Sequence, residues 1–405
     1  MSMTDHAIWW HVYPLGACGA PRRAADDTAA EHQRHRLRRM DAWLDYVIEL
    51  GCSGLLLGPV FAATSHGYDT VDYFRLDPRL GDDSDWDHFV TEAHRRGLLL
   101  MLDGVFNHVG VDHELVPAAI TEGAGMVRTV DGRHQGWEGH DDLAELDHQD
   151  PRVADLVVEV MTYWLAQGAD GWRLDVAYAV PSAFWSQVLG RVREQYPQAF
   201  FLGEVIHGDY SAVAQAGGLD AVTQYELWKA IWSSLSDRNL WELAWALQRH
   251  QDFCDVTTMQ TFVGNHDVTR IASRVGDGGA AIAAVILLTL PGMPSIYYGD
   301  EQAFRGEKGN GWEADEALRP ALPEDPSGLD PAGWWLYRLH QELIALRRRH
   351  SWIATGRVAV QDRNNTSLRY AVTAPGHHLV VDIDITDRPQ ATLTVDGHRE
   401  VTWPR

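Results

Sequence analysis

The sequence predicts a (β/α)8 barrel with a short insertion after its third strand and a small antiparallel β-domain at its C-terminal end. Eight short apolar runs, rich in β-branched and aromatic residues, alternate with longer stretches of helical spacing. Several of these runs are apolar almost throughout, as expected of parallel strands covered on both faces. Past the last helical stretch the texture changes to alternating polar and apolar residues, the period of antiparallel strands with one dry face. A doubly wound open sheet is the competing architecture, but no glycine fingerprint follows the first run.

Taken in order, the candidate strands span 8–13, 52–60, 98–106, 169–176, 199–206, 221–226, 258–265 and 294–299. After the first, Leu37, Met40, Trp43, Leu44, Val47 and Leu50 hold helical spacing, and Gly51 ends that segment. Ser84 is the candidate N-cap of the next helix, with Trp86, Phe89, Val90 and Ala93 inward and Gly97 as its stop. Pro151 suits the first turn of a helix running to Gly168, and Pro181 opens another. The stretch 109–146, rich in Gly, His and Asp, reads as an insertion subdomain interrupting a barrel that occupies 1–350. Within 351–405 the segments 357–360, 368–372, 378–383 and 391–395 alternate like short strands, so this part reads as a small β-domain. Arg34, Arg36, Arg38 and Arg39 alternate with apolar positions on the first helical segment and read as a solvated helix face.

The 57 acidic against 34 basic residues leave a formal charge of −23. That balance excludes nucleic acid and an anionic membrane as main partners, since either rewards a basic face. Hydrophobic residues at 45% and charged residues at 22% exclude a wholly disordered chain. Three cysteines without a CxxC pair make neither a disulfide framework nor a zinc site. The start, Met-Ser-Met-Thr-Asp-His, lacks the basic and apolar regions of a secretory signal. The longest apolar run, 280–290, has about half of the roughly 20 residues a spanning helix needs. A cytoplasmic protein with reduced thiols is the expectation.

In a barrel of this kind chemistry sits at the C-terminal ends of the strands. The third ends Leu102-Asp103-Gly104-Val105-Phe106-Asn107-His108, the fourth Gly171-Trp172-Arg173-Leu174-Asp175, the fifth Leu202-Gly203-Glu204, and the seventh Phe262-Val263-Gly264-Asn265-His266-Asp267. Acids crowded into one pocket cannot all ionise freely, so at least one proton is retained. A protonated acid beside an ionised carboxylate is what glycosidic cleavage needs. Arg173 alternates to the same side of its strand as Asp175, so it is expected to keep Asp175 ionised. Glu204 has no basic neighbour in its strand, as suits an acid that keeps its proton. A single strand-end Asp can equally cap a helix or pair with a buried Arg, but four at successive rims argue against a wholly structural role. His66, His108, His207 and His266 also fall near strand ends. The first strand offers only His11 and not a close His pair, so sugar hydrogen bonding is favoured over a metal centre.

At these segments the chain resembles the α-amylase family, glycoside hydrolase family 13. DGVFNH (103–108), GWRLD (171–175), GE (203–204) and FVGNHD (262–267) resemble its four signature regions, in order and on the right strands. HGYDTVDYFRLDPRLGD (66–82), GMPSIYYGDE (292–301) and LAELD (143–147) resemble its second-strand loop, eighth-strand loop and fifth short motif. The resemblance covers residues 8 to 350. It implies Asp175 as nucleophile of a covalent glycosyl-enzyme, Glu204 as general acid and base, and Asp267 as stabiliser of the distorted sugar. It further implies Tyr68 stacking on the sugar, with His108, Arg173, His266, Asp315 and Arg319 binding it, and Asp103 and Asn107 in support. Calcium-binding members of the family pair the Asn of the first region with a Lys-His pair after the nucleophile. Here Val176-Ala177-Tyr178-Ala179 follows Asp175 instead. No cofactor is expected to be required, and a structural calcium is left open.

The function these residues imply is retaining hydrolysis of α-glucosidic bonds in short malto-oligosaccharides or related α-glucosides. An α-glucanotransferase sharing the triad is the alternative. A non-catalytic sugar- or partner-binding barrel would be marked by loss of a carboxylate, and none is lost. The expected partner is a small oligosaccharide, with no nucleic acid and no membrane; oligomeric state, linkage and exo or endo action stay open. Of the 17 Trp, Trp43, Trp86 and Trp164 take core-facing helical positions, whereas Trp137 and Trp312 are candidate sugar platforms.

Overall fold

In the computed structural model of the chain, which describes residues 6–28, 34–122, 125–310 and 314–404, all eight apolar runs form parallel strands. They are β1 (Trp9–Val12), β2 (Gly54–Leu57), β3 (Leu99–Gly104), β4 (Gly171–Leu174), β5 (Phe200–Gly203), β6 (Ala221–Thr223), β7 (Thr258–Phe262) and β8 (Met293–Tyr297). Each pairs with its sequence neighbours, and β1 closes the barrel against β8, with Trp9 opposite Ser295. The strands are shorter than the runs that announce them. Run 169–176, for example, leaves Asp175 and Val176 beyond the ladder, and such overhangs build the rim.

Strand alternation divides the core in two. Trp9, Leu56, Met101, Phe200, Leu202 and Met293 point inward and plug the barrel, where the Trp9 indole Nε1 lies 3.0 Å from Met293 Sδ. Two residues further along the same inward side come His11, Asp103 and Glu204. The hydrophobic plug is thus the floor of whatever sits at the rim. Outward residues such as Trp10, Leu55, Leu100, Trp172 and Phe201 join the larger core beneath the helices.

The helices are α1 (Asp41–Leu50), α2 (Asp83–Arg95), α3 (Pro151–Ala166), α4 (Ser182–Gln195), α5 (Tyr210–Gly217), α6 (Tyr225–Ser236), α7 (Trp241–Cys254), α8 (Ile271–Thr289) and α9 (Trp334–Arg349). Gly51 ends α1 with a left-handed φ of 103°, a conformation that costs glycine least. Trp43, Trp86 and Trp164 are buried as expected. The N-cap of α2 is Asp82 rather than Ser84, because Asp82 and Asp85 form a reciprocal capping box. The arginine cluster is not a solvated face either. Arg36 donates to Asp27 and to the Arg79 carbonyl, Arg38 to Asp85, and Arg39 to the carbonyls of Cys18 and Leu322.

The apolar run 280–290 lies almost wholly in α8. Among the described residues this is the one helix long and apolar enough to cross a membrane, and its apolar part is mostly buried inside the fold. It is wedged against α9, α6 and the C-terminal sheet. That sheet has five antiparallel strands in sequence order, β9 (Arg357–Arg363), β10 (Ser367–Ala374), β11 (His377–Asp384), β12 (Gln390–Val395) and β13 (His398–Trp403). The last is one more than the sequence alternation suggested. After β3, a small antiparallel sheet of His108–Gly110, His140–Glu145 and Gly136–Trp137 rises beside the rim, joined by the helix Leu115–Glu122.

Candidate active site

Register brings the acids together. Arg173 pairs with Asp103 across β4 and β3, and Leu174 with Gly203 across β4 and β5. The ladder continues one step, with Asp175 N–H donating to the Gly104 carbonyl and Glu204 N–H to the Leu174 carbonyl. Asp175 and Glu204 therefore emerge side by side. Arg173 is the buried hub. Its Nη1 is 2.6 Å from both Asp103 oxygens and 3.2 Å from Asp175 Oδ1, and its Nη2 is 2.6 Å from Glu204 Oε1.

This geometry corrects the electrostatic reading of the strand sequences. Arg173 lies closer to Glu204 than to Asp175, because the cross-strand partner is invisible in one strand's sequence. Burial, and then the neighbouring Glu204, push the Asp175 carboxyl well above its usual range despite Arg173. Burial likewise raises Asp103 against the pull of Arg173.

Asp267 is different. Burial works to raise its carboxyl, but His266 and Arg319 outweigh it and hold the group below the ordinary carboxylate range. Its Oδ2 is 2.9 Å from His266 Nε2 and its Oδ1 3.0 Å from Arg319 Nη2. Arg319 also donates to the His266 carbonyl and to Asp315 Oδ2 at 3.1 Å, and covers the Tyr13 ring at 4.6 Å. Tyr68 donates to Asp103 Oδ2 at 2.9 Å, contacts His266 Nε2, and stacks on the His266 ring at 5.2 Å. Its presentation depends on Gly67, whose φ of 86° turns the second-strand loop into the pocket.

A cleft of about 310 Å³ unites these groups, lined by Tyr68, His108, Asp175, Glu204, Asp267, Asp315 and Arg319 together with Trp137 and Tyr178. A second recess of about 330 Å³ shares Arg22, His66, Asp315 and Arg319 with it. His108 Nε2 and His266 Nδ1 are buried without a protein hydrogen-bond partner, and at His108, which lines the cleft, a ligand hydroxyl would gain a bond. Burial lowers the His108 ring to about 4, which keeps it neutral near pH 7. His66 reaches the cleft as well, whereas His207 is exposed and packs on Tyr178. Trp137 stacks on His108 at 6.2 Å. Trp312 lies outside the described residues.

Asn107 and the backbone carbonyls beside it already carry protein hydrogen bonds, whereas a calcium ion takes 6–8 oxygens. The Asn107 amide meets His108 Nδ1 at 3.1 Å, its carbonyl accepts from Leu146 N–H, and the Phe106 carbonyl accepts from His148. Among the described residues the one cluster of metal-ligating side chains is His35, Asp82 and Asp85, elsewhere in the fold and already engaged by Arg38.

Two residues of the site went unnoticed in the sequence. Tyr225, two residues past β6, donates to Glu204 Oε1 at 3.0 Å, and Asn265 Nδ2 donates to Tyr225 Oη at 2.8 Å. A signal existed: Tyr225 lies just beyond the end of its strand, as Asp175 and Glu204 do.

The chain matches the family model described as Alpha amylase, catalytic domain, over residues 37–128 and 133–335. It is 29% identical over 411 residues to a Cyclomaltodextrinase of Geobacillus thermopakistaniensis, covering 93% of this chain and 68% of that protein. An Intracellular maltogenic amylase of Bacillus subtilis is 29% identical over 294 residues, which are 65% of this chain and 48% of that one. The relatives are therefore longer than this chain. The solved Cyclic alpha-maltosyl-(1→6)-maltose hydrolase from Arthrobacter globiformis, in complex with the compound in its name, superposes with a TM-score of 0.80 at 22% identity. That match covers 94% of this chain and 90% of the other and shows a common fold.

Proposed function

The chain belongs to the alpha-amylase family of glycoside hydrolases, and from that premise we propose that it cleaves α-glucosidic bonds of short malto-oligosaccharides or related α-glucosides with retention. The observation that carries this reading is the convergence of Asp175, Glu204 and Asp267 on one cleft, two of them touching the same guanidinium.

In this reading Asp175 attacks the anomeric carbon while Glu204 gives its proton to the departing oxygen. The glycosyl-enzyme bond forms as the glycosidic bond breaks, and Glu204 then takes a proton from the incoming water. Positive charge developing on the sugar ring beside Asp175 favours its carboxylate form, so that interaction is strongest in the transition state. Asp267, held ionised by His266 and Arg319, supplies a second negative charge to the same cation and accepts from sugar hydroxyls. Tyr68 and Trp137 offer aromatic faces, His108, Arg173, His266, Asp315 and Arg319 supply polar contacts, and Asp103 anchors Arg173. No cofactor takes part. The maltosyl ligand named for the Arthrobacter structure supports a small oligosaccharide partner, and the name of the Bacillus subtilis relative supports a cytoplasmic site of action.

The test is turnover of an aryl α-glucoside by Asp175→Ala and Glu204→Gln. Each is expected to lose several orders of magnitude in rate, and an unchanged rate in both overturns the assignment. Proton NMR of the first-formed sugar should show the α-anomer, and a β-anomer excludes retention. With maltotriose or maltoheptaose, products longer than the substrate would indicate a glucanotransferase.

A further inference from the structure

Helix α7 carries a feature that the catalytic cleft does not use. Its buried side holds Leu243, Ala244, Ala246, Leu247, His250 and Gln251. On the opposite side Trp241, Trp245 and Arg249 recur every fourth residue, and the two indoles are 48% and 54% exposed. Elsewhere Trp43, Trp86, Trp164 and Trp185 are all buried in the core. None of the residues lining the catalytic cleft lies on α7.

The two exposed rings are held in place rather than loose. The Arg363 guanidinium covers Trp241 at 5.0 Å, and Arg249 covers Trp245 at 5.0 Å. Asn365 Oδ1 accepts from the Trp241 indole at 2.9 Å, and Glu226 clamps Arg249 at 2.5 and 3.0 Å. A guanidinium covers part of each ring, and about half of each tryptophan remains exposed. Fixed rings lose little freedom when something stacks on them. Charged and amide groups make up most of the surroundings, with Phe253 on the far side of Arg249, so the patch is two flat platforms in a mostly polar rim.

That composition decides between occupants. An aromatic side chain offers about 150–250 Å², so two half-exposed indoles present about 200 Å², well below the roughly 800 Å² per partner of a stable dimer. A pyranose ring, by contrast, has one face of C–H groups matching an indole and a rim of hydroxyls matching Arg, Asn and Glu. Residues four apart on a helix lie about 5–6 Å from one another at Cβ, a spacing that suits neighbouring units of a sugar chain.

We propose that Trp241 and Trp245 form a surface site on the outer wall of the barrel that binds an α-glucan chain independently of the catalytic cleft. The choice of glucan rests on the hydrolase reading above; the presence of a sugar platform does not. Such a site raises the local concentration of chains too long to be held by the cleft alone.

The test is native electrophoresis of the full chain through gels containing soluble starch, beside hydrolysis of maltotriose. Trp241→Ala/Trp245→Ala is expected to weaken retardation about tenfold while maltotriose turnover stays within about twofold. Trp245→Ala alone, which removes no hydrogen bond to Asn365, guards against misfolding and should weaken retardation in part, and Trp245→Tyr should restore it. Retardation unchanged in the double variant overturns the proposal. So does a wild-type dimer in sedimentation that the double substitution dissolves without altering retardation. If the wild type is retarded through these indoles yet hydrolyses no α-glucoside, the hydrolase reading fails and the surface site stands.

Discussion

Arg173→Leu is the substitution that tests the electrostatic core of the site. The guanidinium touches three buried carboxyl groups, at 2.6 Å (Asp103), 2.6 Å (Glu204) and 3.2 Å (Asp175). At an effective dielectric constant of about 20, one full charge pair at about 4 Å is worth about 4 kcal/mol. The three terms do not add, because carboxyls stripped of their partner take up protons rather than stay charged. The loss of folding stability near pH 8 should therefore be that of breaking one buried pair, about 3–5 kcal/mol, a large part of the 5–15 kcal/mol typical of a fold. The pH dependence has a definite sign. Asp103 and Asp175 are already raised in the fold, and removing Arg173 raises them further. A group with a raised folded pKa contributes stability below its unfolded value of about 3.9 and loses it as pH rises through the folded one. The variant should thus be impaired less near pH 5 than near pH 8. Urea unfolding of wild type and variant at both pH values, followed by Trp fluorescence, reads the difference. A loss below about 1 kcal/mol, or the same loss at both pH values, would refute the hub.

Tyr225→Phe removes the hydrogen bond to Glu204 and the one accepted from Asn265, and leaves the ring packed on Phe262; turnover should fall about tenfold with little change in KM and a shifted pH profile, and an unchanged kcat with an unchanged pH profile would contradict a positioning role. Glu301, buried and raised from 4.5 to about 7, carries a charging penalty of about 3 kcal/mol at about 1.4 kcal/mol per pH unit. Its contribution is present below pH 4.5 and is lost as pH rises through about 7, so Glu301→Gln should flatten the fall in stability over that window; an unaltered slope would assign the dependence elsewhere. Arg79→Met leaves Asp77 buried and unpaired and frees the carbonyls of Pro21, Arg22 and Ser65. A destabilisation of about 3–5 kcal/mol is expected in thermal or urea unfolding, and less than about 1 kcal/mol would show the pair to be dispensable.

The eight strands were legible because each is buried on both faces, which makes most of their residues apolar regardless of direction. The acids were legible for the converse reason: a charged residue at the end of such a run has no structural reason to be apolar and every reason to face the rim. What the strands could not reveal is who meets whom across them. Arg173 was expected to serve Asp175 because the two share a strand, yet the β4–β5 register hands its nearer contact to Glu204. Asp82 took the N-cap from Ser84 because the side chain of Asp85 answers it, a reciprocity that one candidate residue does not display. Arg36 and Arg38 looked solvated on helical spacing alone, since Asp27 and Asp85 reach them from a preceding loop and from another helix.

The irregular segments between the strands follow a physical rule of their own. A loop carries carbonyls that no ladder satisfies, and inside a protein these need donors. Here the donors are buried guanidinium groups. Arg79 gathers the carbonyls of Pro21, Arg22 and Ser65, Arg270 those of Tyr298 and Leu318, and Arg347 those of Leu288, Leu290 and Gly292. Arg319 does the same for His266 while touching Asp267. Five donors in a rigid fork can tie several strands of chain at one point, which a lysine cannot do. Arg79 sits between the loops after β1 and β2, and Arg270 between those after β7 and β8, so each knot joins two walls of the cleft. The rim is fixed by a few buried cations and not by regular structure. Its shape is therefore a property of contacts remote in sequence, and replacing Arg79 or Arg270 should loosen two loops together.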